Sequence, residues 1–344
     1  MAAFELDEER GDRAAQADGA DAAGEPACPG RTFSFELYPP RTPAAEAGLW
    51  STLHRLVAAG PEFVSVTFGA GGGTRDRSLE VLTHLLRETS VKPMAHLTCV
   101  GSSYAQASRL IREFLDAGVT SFLALRGDPP ADAPPGETGL GDLGSAGELV
   151  QLIHRVQKER VPFEELDVPG APGAKRLAKG EKVMIAVAAF PTGHPRSRSR
   201  AQDIDTLLAK EAAGANLAIT QLFFEADDYL GFVQRAREAG VRMRILPGIM
   251  PVLSARRLHR IVELTGEALP EQLLRDLERA DEPEAVGIAH AARLGARLLE
   301  GGAPGLHLYT FNRAEAPLAV LRETGLLDDA PTPSTPAHLV KDPA

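Results

Sequence analysis

The chain has 344 residues, of which 44% are hydrophobic and 24% charged, enough to bury a large core beneath a soluble surface. Its net charge of −10 excludes a general electrostatic affinity for nucleic acid or anionic membrane. Two cysteines, Cys28 and Cys99, cannot build a disulfide framework and fit a reducing compartment.

No stretch reaches the ~20 uninterrupted apolar residues of a membrane span. The first 30 residues lack an apolar signal core and are rich in acids, so they read as a solvated tail rather than a targeting peptide. A cytoplasmic location is expected. From Phe33 onward, short β-rich runs alternate with Ala/Leu/charged segments of helical spacing. The strand-like runs are FSFELY (33–38), FVSVTF (63–68), PMAHLTC (93–99), SFLALRG (121–127), MIAVAAF (184–190), LAITQLF (217–223), RILPGI (244–249) and GLHLYTF (305–311). Helical segments are expected near 44–59, 75–89, 103–117, 147–158, 199–213, 226–239, 254–300 in several pieces, and 314–324.

Eight βα units predict an α/β fold, a single (β/α)8 TIM barrel over 31–326 with disordered tails at 1–30 and 327–344. An open doubly wound sheet is the alternative, and the first junction, YPPRTP, lacks the glycine-rich loop that fold would use. The long connection 127–146 follows strand four and should lie on the catalytic face. The segment 158–182 precedes strand five, belongs to the opposite face, and reads as a charged decoration.

In such a barrel, functional groups gather at the C-terminal strand ends. Here those ends carry Glu36, Thr67, His96, Arg126-Gly127-Asp128, His194, Gln221, Asn312 and Arg313. Glu36 lies in an apolar stretch, where burial would raise its pKa and suit it to general acid work. Read alone, it is better explained as a carboxyl satisfied by a buried Arg or by backbone. Arg126, Gly127 and Asp128 offer a cation, a close backbone approach and an anion, with a structural Arg–Asp pair as the bland explanation. GAGGGTRDR (69–77) can approach a ligand closely but is no Walker sequence. His96 and His194 lack metal-ligand spacing and read as hydrogen-bonding groups. Asp203, Thr206 and Lys210 share one helix face, which spacing alone assigns to solvent.

Taken together, FSFELYPPRT, FVSVTFGAGG with TRDR, AHLTC, LALRGDPP, VAAFPTGHP, AGANLAITQLFF, LPGIMPV and LHLYTFNRAE resemble, in order, the bacterial 5,10-methylenetetrahydrofolate reductase family over roughly 33–325. The resemblance implies a (β/α)8 barrel holding FAD, with NADH or NADPH as reductant and methylenetetrahydrofolate as substrate. It makes Glu36 the proton donor and places Asp128 beside the folate to stabilise its iminium cation. It assigns Gln221 to the pterin and Arg313 to folate binding. Thr67, Phe68, Ala70, His96, Arg126, Gly127, Asp128, Ala146, Phe190, His194, Asp203 and Lys210 match flavin-contacting positions. Departures are Phe at 68 and 190 where the family often has Tyr, Thr206 and Ala209 for Asn and Arg, and Arg257 and Ile261 for Gln and Phe. A flavin-free reductase of the same barrel and a non-catalytic folate-binding barrel are the competing readings. No nucleic acid or membrane partner is expected. An exposed barrel helix offers a surface for a homo-oligomer.

Overall fold

In the computed structural model the described residues are 30–40, 42–67, 72–127, 139–161, 163–166, 174–177 and 183–328. The chain divides into Met1–Gly30 and Arg31–Ala344, and the description below concerns the second. The sequence-predicted tails 1–30 and 327–344 lie almost wholly outside the described residues.

Each β-rich run becomes a strand because alternate residues are apolar on the side that meets a helix. The strands are β1 (Thr32–Leu37), β2 (Phe63–Val66), β3 (Lys92–Thr98), β4 (Ser121–Leu125), β5 (Phe163–Leu166), β6 (Ala174–Leu177), β7 (Met184–Ala189), β8 (Leu217–Thr220), β9 (Arg244–Leu246), β10 (Gly248–Ile249) and β11 (Gly305–Tyr309). All but β5 and β6 form one sheet in the order β10-β11-β1-β2-β3-β4-β7-β8-β9, with every pairing parallel. Because β9 and β10 are consecutive in the chain, the sheet closes on itself. They are one barrel strand interrupted at Pro247, which has no N–H to donate. Its carbonyl still accepts from the His307 N–H at 2.9 Å. The predicted run 244–249 is therefore a single barrel position made of two pieces, one paired to β8 and one to β11.

The helices are α1 (Pro43–Ala58), α2 (Gly72–Glu88), α3 (Tyr104–Asp116), α4 (Ala146–Arg160), α5 (Arg200–Ala212), α6 (Ala226–Glu238), α7 (Ala255–Thr265), α8 (Glu271–Arg279), α9 (Pro283–Glu300) and α10 (Glu315–Glu323). Thr42, Ser103, Ser145, Ser199 and Ser254 cap the helices that follow them, each accepting from a backbone N–H of the first turn. These caps fix where α1, α3, α4, α5 and α7 begin, on the end of the barrel where the strands finish.

Two apolar layers result. Outward residues such as Phe35, Leu37, Val64, Val66, Leu97, Phe122 and Val187 pack against the helices. Phe63, Met94, Leu123, Ala186, Leu217, Ile219 and Leu246 fill the barrel itself. Below this plug, Arg244 donates to both oxygens of Glu62 (2.8 and 2.9 Å), and Thr32 donates to Glu62 at 2.7 Å. The plug and this clamp close the N-terminal end, leaving the C-terminal end as the way in. The decoration expected at 158–182 contains an antiparallel hairpin, β5 with β6. It is entered from the C-terminus of α4 and left into the N-terminus of β7, at the closed end.

Candidate active site

At the C-terminal mouth, β1 alternates Phe33, Phe35 and Leu37 outward with Ser34 and Glu36 inward. Register places Ser34 opposite His307 and Glu36 opposite Tyr309 on one side and Ser65 on the other. Glu36 is 18% exposed. One of its oxygens, Oε2, faces two imidazoles: His96 Nε2 at 3.5 Å and His307 Nε2 at 3.9 Å. Neither Nε2 has a formed hydrogen bond, and both are buried. The partner of Glu36 is thus neither an arginine nor the backbone, the two possibilities offered by the sequence.

This pair corrects the expected direction of the Glu36 titration. Burial raises its proton affinity, but the neighbouring His307 and His96 lower it by more, so the ligand-free carboxyl sits below the ordinary glutamate range. Burial in turn holds the His96 imidazole below its usual value, against the pull of Glu36. The sequence showed the apolar flanks of Glu36 but not the two rings across the barrel.

Tyr309 completes this floor. Its hydroxyl donates to the Thr220 carbonyl at 2.8 Å, and burial, with the nearby Glu36 charge, keeps it protonated. The ring fits only because position 248 is glycine: a Cβ there would stand 2.4 Å from the Thr220 carbonyl oxygen and 2.8 Å from the Tyr309 ring. His307, Ser34 and Tyr309 were not singled out from sequence. The alternation S-F-E on β1 and H-L-Y on β11 placed polar groups on the inner face, and that was the available signal.

A second group lines the β4–β7–β8 arc. Arg126 follows β4, and its Nε and Nη2 are buried without partners. Gly127 takes φ +79, and a Cβ would lie 2.6 Å from Val100 Cγ2, so conformation and space both demand glycine. After β7, Asp203 holds the PTGHP loop: Oδ1 accepts from Ser197 Oγ and from the His194 N–H. Its Oδ2 is buried and unpartnered. The His194 ring meets Phe190 edge-on at 4.6 Å, and its Nδ1 accepts from the Arg196 N–H. Lys210 donates to the Ala188 carbonyl at 2.7 Å, and burial depresses its pKa to about 8 despite Asp203 nearby. Spacing alone gave this helix face to solvent. Asp203 and Lys210 instead point into the barrel rim, and only Thr206 is exposed, its hydroxyl bonded back to the Gln202 carbonyl.

Other predicted positions fall around this frame. Ala146 is buried in the first turn of α4. Thr67 ends the β2 segment, its N–H donating to Leu37 and its carbonyl accepting from Ser78. Gln221 follows β8, partly buried, with Oε1 toward the Leu222 N–H at 3.3 Å. Arg313 does not join the cluster. It lies 3.7 Å from Glu284 at the rim and is half exposed. Asn312, with φ 56, ties β11 back to β1 through the Tyr38 N–H and carbonyl. Phe68, Ala70 and Asp128 lie outside the described residues. Among the described residues no group of three or more His, Cys, Asp or Glu could hold a metal, and no helix is long and apolar enough to cross a membrane.

A family model described as Methylenetetrahydrofolate reductase matches residues 27–325. A 5,10-methylenetetrahydrofolate reductase of Pectobacterium carotovorum is 34% identical over 300 residues, 86% of this chain and 91% of that protein. The protein of the same name from Escherichia coli is 33% identical over 297 residues, 85% and 90% of the two chains. A probable methylenetetrahydrofolate reductase (NADH) of rice is 32% identical over 320 residues, 89% of this chain and 50% of that protein. Among solved structures, a Clostridium thermocellum protein described as binding two copies of 5-methyl-5,6,7,8-tetrahydrofolic acid shares the fold, with TM-score 0.57 and 11% identity over 87% of this chain and 96% of that one.

Proposed function

The chain belongs to the methylenetetrahydrofolate reductase family, whose reaction converts 5,10-methylenetetrahydrofolate to 5-methyltetrahydrofolate, and we propose that this barrel carries it out in the cytoplasm with bound FAD and NADH or NADPH. One observation carries the cofactor assignment: unmet hydrogen-bonding capacity along a single arc of the mouth. Arg126 Nε and Nη2 are donors suited to anionic or carbonyl oxygens, and Asp203 Oδ2 is an acceptor suited to a ribose hydroxyl. Lys210 adds a cation on the same arc, and the first turn of α4 at Ala146 adds a helix N-terminus. This donor set fits a dinucleotide with a pyrophosphate. When bound, FAD supplies a two-electron carrier that accepts from the nicotinamide and delivers to the methylene carbon.

The protein's own part is proton and charge management. The imidazolidine ring of the substrate opens only if a ring nitrogen is protonated, and Glu36 is the acid at the mouth. Its ligand-free carboxyl lies below the usual range. Substrate seated over it removes its remaining contact with water, and that desolvation raises its proton affinity. The acid is thereby loaded as the folate binds. Asp128 is assigned to the iminium cation that ring opening creates, which a nearby carboxylate stabilises. Gln221 is assigned to the pterin edge. Arg313 is assigned to the folate, and to serve it must leave Glu284.

Absorption spectroscopy of the purified protein tests the proposal. A flavin band that bleaches with NADH or NADPH and recovers with methylenetetrahydrofolate is the expected result, with free FAD released on denaturation. Full turnover by protein free of flavin would replace it with direct transfer from the nicotinamide.

A further inference from the structure

His307 has no role in the chemistry above, yet its setting is that of a functional group. It is fully buried in the floor of the barrel. Its Nδ1 is fixed to Ser34 Oγ at 2.8 Å, one face stacks on Phe63 at 5.8 Å and 22°, and the edge of Tyr309 closes another side at 5.4 Å. With one nitrogen anchored and the ring clamped, Nε2 is aimed at Glu36 Oε2, 3.9 Å away, and has no other partner. A buried imidazole nitrogen left unpaired costs free energy, so a ring kept only for packing would be better replaced by an apolar one. The titratable groups facing this carboxyl are His96 on β3, and His307 and Tyr309 on β11. β2 offers Ser65 and Phe63, which do not titrate in this range.

We propose that His307, held by Ser34, is a positioning residue that steadies the Glu36 carboxyl from beneath and governs when it carries its proton. The inference rests on the reading of Glu36 as the acid. The Ser34–His307 pair can serve both states of that acid. With Ser34 donating to Nδ1, the ring presents an Nε2–H to the carboxylate; with Nδ1–H donating to Ser34, it presents a lone pair to the protonated acid. Glu36 keeps some exposure, while His307 beneath it has none. Its influence therefore passes through Glu36.

The direction follows from the opposing effects on Glu36. Burial favours the protonated acid and the imidazoles oppose it. Removing His307 leaves burial less opposed, so the acid form survives to higher pH. Losing a neighbour that favours the charged form raises a carboxyl's pKa, here by about one pH unit. In stopped-flow traces of the folate half-reaction, the His307→Asn variant should show its alkaline limb displaced upward by at least about one unit. Ser34→Ala, which leaves the ring in place, should displace it in the same direction by less. Reduction of the flavin by nicotinamide should keep its pH dependence in both. A uniform loss of rate with an unmoved limb in the folded variants would reduce His307 to a packing residue. If His307→Asn does not fold, Ser34→Ala decides alone. Glu36→Gln separates the two readings: if it retains the folate step, the acid assignment fails, whereas a dead Glu36→Gln beside an unmoved limb sinks only the role of His307.

Discussion

Glu36 meets the mouth on one side and two imidazoles on the other, and the proposed reaction would ask it for one proton in one of two half-reactions. Glu36→Gln keeps the volume and a polar head but has no acidic proton, so flavin reduction by NAD(P)H should survive. Folate reduction should fall by about 10²–10⁴-fold, the usual worth of general acid catalysis. Equal losses in both half-reactions, read separately by stopped flow, would remove the acid role. Lys210 gives a prediction with a definite pH. Its folded pKa, about 8, means the side chain is charged below that value and neutral above it. FAD affinity should then weaken as pH rises through about 8, because a pyrophosphate loses a cation. In Lys210→Met affinity should be lower than wild type below that pH, converge with it above, and stay flat across the window, as fluorescence titration would show. How such residues could be read from sequence differs case by case. Glu36, Arg126 and Gly127 stood out because each breaks an apolar strand end. His307 did not, since its meaning depends on Ser34 and Phe63, far away in the chain and joined to it only by barrel closure.

Among elements, the eight strands were legible because β-rich runs and helical spacing alternate without interruption. Their closure followed from the count of eight βα units, but the break at Pro247 was not legible, because its missing N–H matters only once β8 and β11 flank the same strand. The hairpin β5–β6 was also hidden. Its segment is rich in charge, Pro and Gly, and it does not show the apolar alternation that marks the barrel strands. Its placement argues that it is separable from the chemistry. It enters from the end of α4 and leaves into the start of β7, while Glu36, Arg126 and Asp203 all gather at the opposite end. Replacing 162–182 by a short Gly/Ser linker should leave kcat and KM for methylenetetrahydrofolate within about twofold, since loop length changes closure entropy only slowly. A large fall in kcat with the far-ultraviolet dichroism intact would mean that this segment reaches the catalytic face.

For the whole molecule, the proposed cofactor would link adjacent sectors of the barrel. Arg126 hangs from β4, Lys210 and Asp203 from α5 behind β7, and His96 from β3. A ligand that spans them binds only the folded barrel, so its binding energy adds to folding stability as RT ln(1 + [L]/Kd). At a hundredfold excess over Kd that is about 2.7 kcal/mol. For a domain of this size each kcal/mol moves the midpoint by roughly 2 °C, so saturating FAD should raise Tm by roughly 5 °C. The rise should grow with the logarithm of FAD concentration, which distinguishes a bound ligand from a nonspecific solute. Asp203→Asn with Lys210→Met removes the ribose acceptor and the cation while leaving the barrel core untouched. The double variant should keep the ligand-free midpoint within a few degrees and lose most of the FAD-dependent rise at the same concentrations. Scanning calorimetry of both proteins with and without FAD makes the comparison. If the variant retained the full increment, the cofactor would have to be held elsewhere on the barrel, and the arc from Arg126 to Lys210 would need another ligand.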